Sequence, residues 1–237
     1  MLRTLAVLCS SISIAPAFAL TPVDTSSQLI ISVPDQKLML VQNGGKVATY
    51  PVSTSMFGLG DYWGRMTTPL GYLAVEKKIG DNAPTGAVFH NRRLTGEVLQ
   101  PNAPGRDPVT TRIIWLRGLE AQNAHAFQRC IYIHGTPQEK TIGRPASYGC
   151  IRMKSSDVAA LYDRVPLGAL VQITPEHLPK VAKPPRSQPA NTFVTATTKP
   201  QTQDQTISAP TTGAALSVEE MRKGGALAAQ RQKAKLN

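Results

Sequence analysis

A succession of short apolar, β-branched runs, each closed by turn chemistry, constrains this chain more than any other feature. Residues 29–33 end at Pro34-Asp35-Gln36, residues 37–42 at Asn43-Gly44-Gly45, and residues 46–50 at Pro51. Asn-Gly between two such runs specifies a tight hairpin, because both central residues must adopt positive φ. Further strands are expected at 72–75, 86–92, 110–116, 131–134 and 169–173. The Pro-, Gly- and Asn-rich stretch 94–109 reads as a long surface loop. One helix is expected. Ser155-Ser156-Asp157 supplies an N-cap signal, Val158, Leu161, Tyr162 and Val165 follow at helical spacing, and Pro166-Leu167-Gly168 stops the run. Many short strands with one helix predict a mainly β fold, a sandwich or partly closed barrel.

The two ends differ from this body. Arg3, the apolar run 5–14 and Ala17-Phe18-Ala19 have the order of a secretory signal peptide, which assigns residues 1–19 to a cleaved leader. The run is shorter than the roughly 20 residues needed to span a bilayer. Leu8 precedes Cys9 where a lipidation motif wants a small residue. Residues 20–178 then form the folded body, and no later stretch reads as a transmembrane segment. From residue 179 Pro, Thr, Gln, Ser and Ala dominate, as in a disordered tail. Within it, Ser217-Val218-Glu219-Glu220 offers a capping box for a short helix, which Gly224-Gly225 weakens. The chain carries a formal charge of +11, and residues 179–237 hold nine Lys/Arg against three Asp/Glu. Such a tail is either a solvated extension or an electrostatic contact to anionic envelope polymers. Outside the cytoplasm, in the periplasm or cell wall, nucleic acid is not an expected partner.

The chemistry concentrates in residues 131–153. His134 ends an apolar run and Cys150 follows 16 positions later, between Gly149 and Ile151. A thiol with an imidazole in reach is a nucleophile with its base. A lone cysteine is usually a small buried hydrophobe. Three features of its surroundings favour reactivity instead. Gly149 permits close backbone approach, Ser147 and Arg152 flank the thiol, and the helix expected next puts Cys150 near a helix start, where backbone N–H groups favour an anion. Cys130 lies four residues before His134, on the same strand face but about 13 Å away at roughly 3.3 Å per residue, and reads as structural. A Cys130–Cys150 disulfide would silence the thiol. His90, His125 and His177 lack comparable context. Neither C-x-x-C nor H-x-x-x-H occurs, so no metal site and no cofactor are expected.

At these residues the chain resembles the L,D-transpeptidase catalytic domain, the YkuD-type family. The resemblance rests on His134-Gly135-Thr136, on Ser147-Tyr148-Gly149-Cys150-Ile151-Arg152-Met153, and on the upstream segments 50–54 and 68–71. Some members carry histidine where Tyr148 stands here. The resemblance implies a mainly β fold and a metal-independent cysteine acyl transfer on peptidoglycan stem peptides. Cys150 would be the nucleophile and His134 the base, with the Gly135 carbonyl holding the imidazole tautomer. Backbone groups at Ser147, Tyr148 and Gly149 would orient the loop and receive the oxyanion. Thr136, Arg152 and Arg144 are the candidates for substrate binding; Arg152 equally suits an internal brace of the loop. Transfer to water or to a protein amine instead of a second stem would make the enzyme a carboxypeptidase or an anchoring enzyme. A papain-like peptidase is disfavoured because there the cysteine precedes the histidine. A non-catalytic wall-binding module is disfavoured by the intact motif.

Overall fold

The structure is a computed structural model that describes residues 20–183. The expected leader and nearly all of the expected tail lie outside the described residues. Among the described residues ten strands follow one another: β1 (Asp24–Ser32), β2 (Lys37–Gln42), β3 (Gly45–Pro51), β4 (Gly71–Ile79), β5 (Ala87–His90), β6 (Arg93–Val98), β7 (Val109–Gly118), β8 (Tyr132–Gly135), β9 (Ile151–Met153) and β10 (Ala169–Thr174). The only α-helix among the described residues, α1 (Ser155–Tyr162), follows β9. No described helix is long and apolar enough to cross a membrane.

The strands form one mixed sheet in the order β3-β2-β1-β10-β4-β7-β5-β6. β1 and β10, the first and last strands, pair in parallel. β7 branches the sheet. Its residues Ile113–Trp115 face β4 on one edge and β8 on the other, and β8 pairs in parallel with β9. The sheet then closes on itself. Ser53, just beyond β3, exchanges two 2.9 Å main-chain hydrogen bonds with Arg152 of β9. The mainly β, partly closed expectation is therefore met.

Side-chain alternation places Leu29, Ile31, Leu38, Leu40, Ile114, Leu116, Ile133, Ile151 and Met153 in one interior, with Val158, Leu161 and Tyr162 of α1. Truncating one of these to alanine costs about 2–5 kcal/mol. β2 is apolar on both faces for a reason. Its outer face, with Ile30, Met39 and Val41, is covered by Leu178 and Val181, which flank the expected boundary at Pro179. The Lys46 N–H also donates to the Ala182 carbonyl. The β2–β3 turn has φ of +48° at Asn43 and +76° at Gly44, as the hairpin signal requires.

Two expectations are corrected. The stretch 94–109 is not all loop, because residues 93–98 form β6, hairpinned to β5 through Asn91 and Arg92. All six β6 residues are exposed, so no alternation marked the strand, and its turn places an arginine rather than a glycine at positive φ. The helix cap is also different. Lys154 is the N-cap and uses no side chain; Glu139, at the start of a single 3-10 turn (Glu139–Thr141), reaches across to accept the Ser155 N–H at 2.8 Å.

Candidate active site

The two faces of β8 and β9 divide the labour. Ile133 and Ile151 point into the core, so Tyr132, His134, Cys150 and Arg152 share the opposite face. The parallel register sets Arg152 opposite His134 and Ile151 opposite Ile133. Sheet spacings then put the Cα atoms of Cys150 and His134 about 8 Å apart on that face.

His134 is 5% exposed. Its Nδ1 lies 2.7 Å from the Gly135 carbonyl oxygen, so Nδ1 carries the proton and Nε2 keeps its lone pair. Burial drives the imidazole pKa down to about 4. The Gly135 carbonyl and Asp107 oppose that shift, and the Arg152 charge adds to it. The Cys150 sulfur receives the Tyr132 N–H at 3.4 Å and donates to the Cys130 carbonyl at 3.3 Å. Burial pushes its thiol up to about 11, only partly offset by the Tyr132 N–H and the Arg129 and Arg152 charges. Both groups are therefore neutral at rest, and no hydrogen bond joins them. Cys130 and Cys150 are free thiols.

Gly149 has φ of +119°, a region favouring glycine. Its carbonyl accepts the Thr68 hydroxyl at 3.0 Å, and a Cβ there would stand 3.3 Å from the Thr67 carbonyl oxygen. The Ser147 hydroxyl donates to the Cys150 carbonyl at 2.6 Å and receives the Gly149 N–H at 3.2 Å, bending the loop into a tight arch. Among the described residues, no acceptor takes the Tyr148 or Cys150 N–H. Tyr148 is 62% exposed, its ring 5.6 Å from that of Phe57.

A family model for the L,D-transpeptidase catalytic domain (YkuD) matches residues 26–173, nearly the whole of this sheet and its site. The chain belongs to that family. Relatives of the L,D-transpeptidase domain include the "probable L,D-transpeptidase YbiS" of Escherichia coli, 26% identical over 73% of this chain and 53% of that protein. Another is the "probable L,D-transpeptidase ErfK/SrfK" of Salmonella typhimurium, 29% identical over 68% of this chain and 48% of that protein. The chain thus spans about half the length of the curated relatives it matches. Among solved structures, the L,D-transpeptidase from Xylanimonas cellulosilytica aligns with a TM-score of 0.41 at 22% identity, over 65% of this chain and 63% of that one.

The L,D-transpeptidase domain differs from the sequence expectations at several site residues. Cys150 does not sit at a helix start, because β9 separates it from α1. Any N–H donors for an anion come from the loop arch instead. Arg152 is 2% exposed and forms an ion pair with Asp107 within the protein, with a further hydrogen bond to the Thr141 hydroxyl at 3.2 Å. Of its two readings, the internal brace fits. Thr136 is fully buried and its hydroxyl donates to Asp107, so it holds the brace rather than facing a ligand. Arg144 is exposed, and its carbonyl accepts the Ser53 hydroxyl at 2.6 Å. Four residues of the domain's site escaped the sequence reading. Asp107 lay hidden in the supposed surface loop, and Tyr132 looked like one more apolar strand residue. Arg129 and Asp61 form a buried pair at 2.6 Å, and the Arg129 guanidinium also donates to the carbonyls of Gly60, Arg65 and Thr67, fixing the glycine-rich loop beside Gly149. Only proximity in space reveals such a pair, because 68 positions separate its members.

Proposed function

We propose that this protein is an exported cysteine L,D-transpeptidase acting on peptidoglycan stem peptides. The observation that carries the reading is the β8–β9 register, which brings His134 and Cys150 onto one face beside two unpaired loop amides, in a chain of this family. Cys150 is the nucleophile. His134 accepts its proton at Nε2, because Nδ1 is committed to the Gly135 carbonyl. The resting thiol points at the Cys130 carbonyl, so it must turn away from that acceptor towards the imidazole as the donor stem enters. Catalytic hydrogen bonds often tighten only in the substrate complex. The thiolate attacks the carbonyl at the L-centre of diaminopimelate. The oxyanion falls to the Tyr148 and Cys150 N–H groups, and a donor of this kind is worth about 2.7–4 kcal/mol. The imidazolium then returns its proton to the leaving D-Ala amine, leaving a thioester on Cys150. An acceptor amine attacks next, releases the thiol and forms the new amide.

A neutral pair suits this sequence of steps. The thiol is inert towards water and oxidants until a substrate displaces solvent and aligns the proton transfer. The leader motif in residues 1–19 and the basic composition after residue 179 support action at the envelope.

Incubating the purified protein with a stem tetrapeptide tests the proposal by intact mass. The expected result is free D-alanine and an adduct of the tetrapeptide less D-Ala on Cys150, absent in Cys150→Ala and resolved on adding an amine acceptor. D-alanine release without a Cys150 adduct, or retained by Cys150→Ala, would sink it.

A further inference from the structure

The geometry points to Arg92 as the residue that selects the donor by binding one of its carboxylates; this rests on the reading of Cys150 as the nucleophile for a stem peptide. A cavity opens on the face that carries the site, lined by Phe89, Arg92, Val109, Ile113, Cys130 and Tyr132. It lies one residue from the thiol, because Cys130 and Tyr132, which line it, are the two residues whose main chain holds the Cys150 sulfur. Ile113 of β7, also in the lining, is the strand neighbour of His134.

Arg92 is the one cation in that lining, and it is placed at a conformational cost. It occupies the β5–β6 turn at φ of +66°, where glycine or asparagine would sit without strain. Strain of this kind tends to gather at ligand sites. Its side chain is aimed rather than free. The guanidinium lies 5.1 Å above the Trp115 ring, and Nη1 donates to the Tyr132 hydroxyl at 3.4 Å. Nη1 also lies 3.7 Å from the Cys130 sulfur. Among the described residues no carboxylate pairs with it. Stacking and two long hydrogen bonds, both from Nη1, leave most of its five N–H donors unused, in the planar fork that matches a carboxylate. Of the sequence's two arginine candidates for this task, Arg152 is committed to Asp107 and Arg144 does not line this cavity. A stem tetrapeptide reaching the thiol carries more than one free carboxylate, and Arg92 stands at the edge of the cavity such a chain would fill.

The test measures binding to the full chain carrying Cys150→Ala, with and without Arg92→Gly. Glycine relieves the turn strain, and an unchanged melting temperature checks the fold. The probes are a stem tetrapeptide and a set of analogues in which each free carboxylate in turn is a carboxamide. One analogue should bind on the order of 10- to 100-fold more weakly than the parent, as befits loss of a charged hydrogen-bonded partner. In Arg92→Gly that ratio should collapse to near one, and the analogue concerned identifies which carboxylate is held. A variant that merely loosens the cavity would weaken parent and analogues alike and keep the ratio. A ratio preserved in Arg92→Gly, ratios near one for every analogue with arginine present, or no binding of any probe would each overturn the assignment. D-alanine release by the protein with Cys150 intact reports separately on the catalytic reading.

Discussion

Replacing Asp107 with alanine should unfold this protein more readily than any single surface change. The Arg152 side chain is 3% exposed and that of Asp107 11%. Arg152 Nη1 meets Asp107 and, at 3.4 Å, Gln138; Nη2 meets Thr141; Nε has no partner. Asp107→Ala therefore strands a buried guanidinium whose remaining bonds are long. Removing one member of such a pair costs about 3–5 kcal/mol. At about 2–4 °C per kcal/mol for a body of this size, the melting temperature should fall on the order of 6–20 °C. The companion variant Asp107→Ala/Arg152→Met removes the stranded charge and fills its volume. It should recover about 2–3 kcal/mol relative to the sum of the single changes. Urea unfolding at pH 7 of the parent, both single variants and the double variant measures this directly. A single-variant cost below about 1 kcal/mol, or an additive cycle, would mean that the pair is not the internal brace described above.

Three further outcomes are expected. The His134 pKa is depressed to about 4 from its ordinary 6.5, so the unfolded chain binds the extra proton first as pH falls; stability present above pH 6.5 should decline by about 3 kcal/mol on approaching pH 4, and His134→Gln should flatten that slope in urea titrations. Cys150 is raised to about 11, so its alkylation by iodoacetamide, read by peptide mass, should keep accelerating well above pH 9; a plateau near neutrality would contradict a neutral resting thiol. Arg129→Ala breaks the buried Asp61 pair and three carbonyl contacts, and should make residues 56–67 the first site of limited proteolysis, while unchanged protection would show that the loop is held by other means.

The sequence marks the parts of this fold that are governed locally. Asn43-Gly44 fixes its own turn, and the contiguous apolar runs of β1, β7 and β8 mark strands that are covered on both faces. His134 and Cys150 stand out because glycines adjoin both. What the sequence hides is decided by register and by distant partners. β6 carries no apolar signal, since none of its residues is covered. Asp107 sits in a Pro- and Gly-rich stretch and gains its meaning only when β9 delivers Arg152 to it. The three-residue β9 removes Cys150 from the helix start, and no periodicity can announce a strand that short. Glu139 caps α1 from 16 positions away, a service that Ser155 and Ser156 appeared ready to provide for themselves.

The pairing of β1 with β10 sets a timetable as well as a shape. Gln28 lies beside Leu170, about 140 residues further along the chain. Closing a loop of that length costs about 4 kcal/mol of chain entropy before any contact repays it. A chain that emerges N-terminus first can zip β1 to β2 and β2 to β3, but the other edge of β1 stays open until residue 174 is available. Ser53 likewise waits for Arg152. Folding of this body is thus a late, all-at-once event dominated by non-local pairings, slow on the millisecond-to-second scale. Until then the exposed edge of β1 is the segment most prone to pair with the wrong chain.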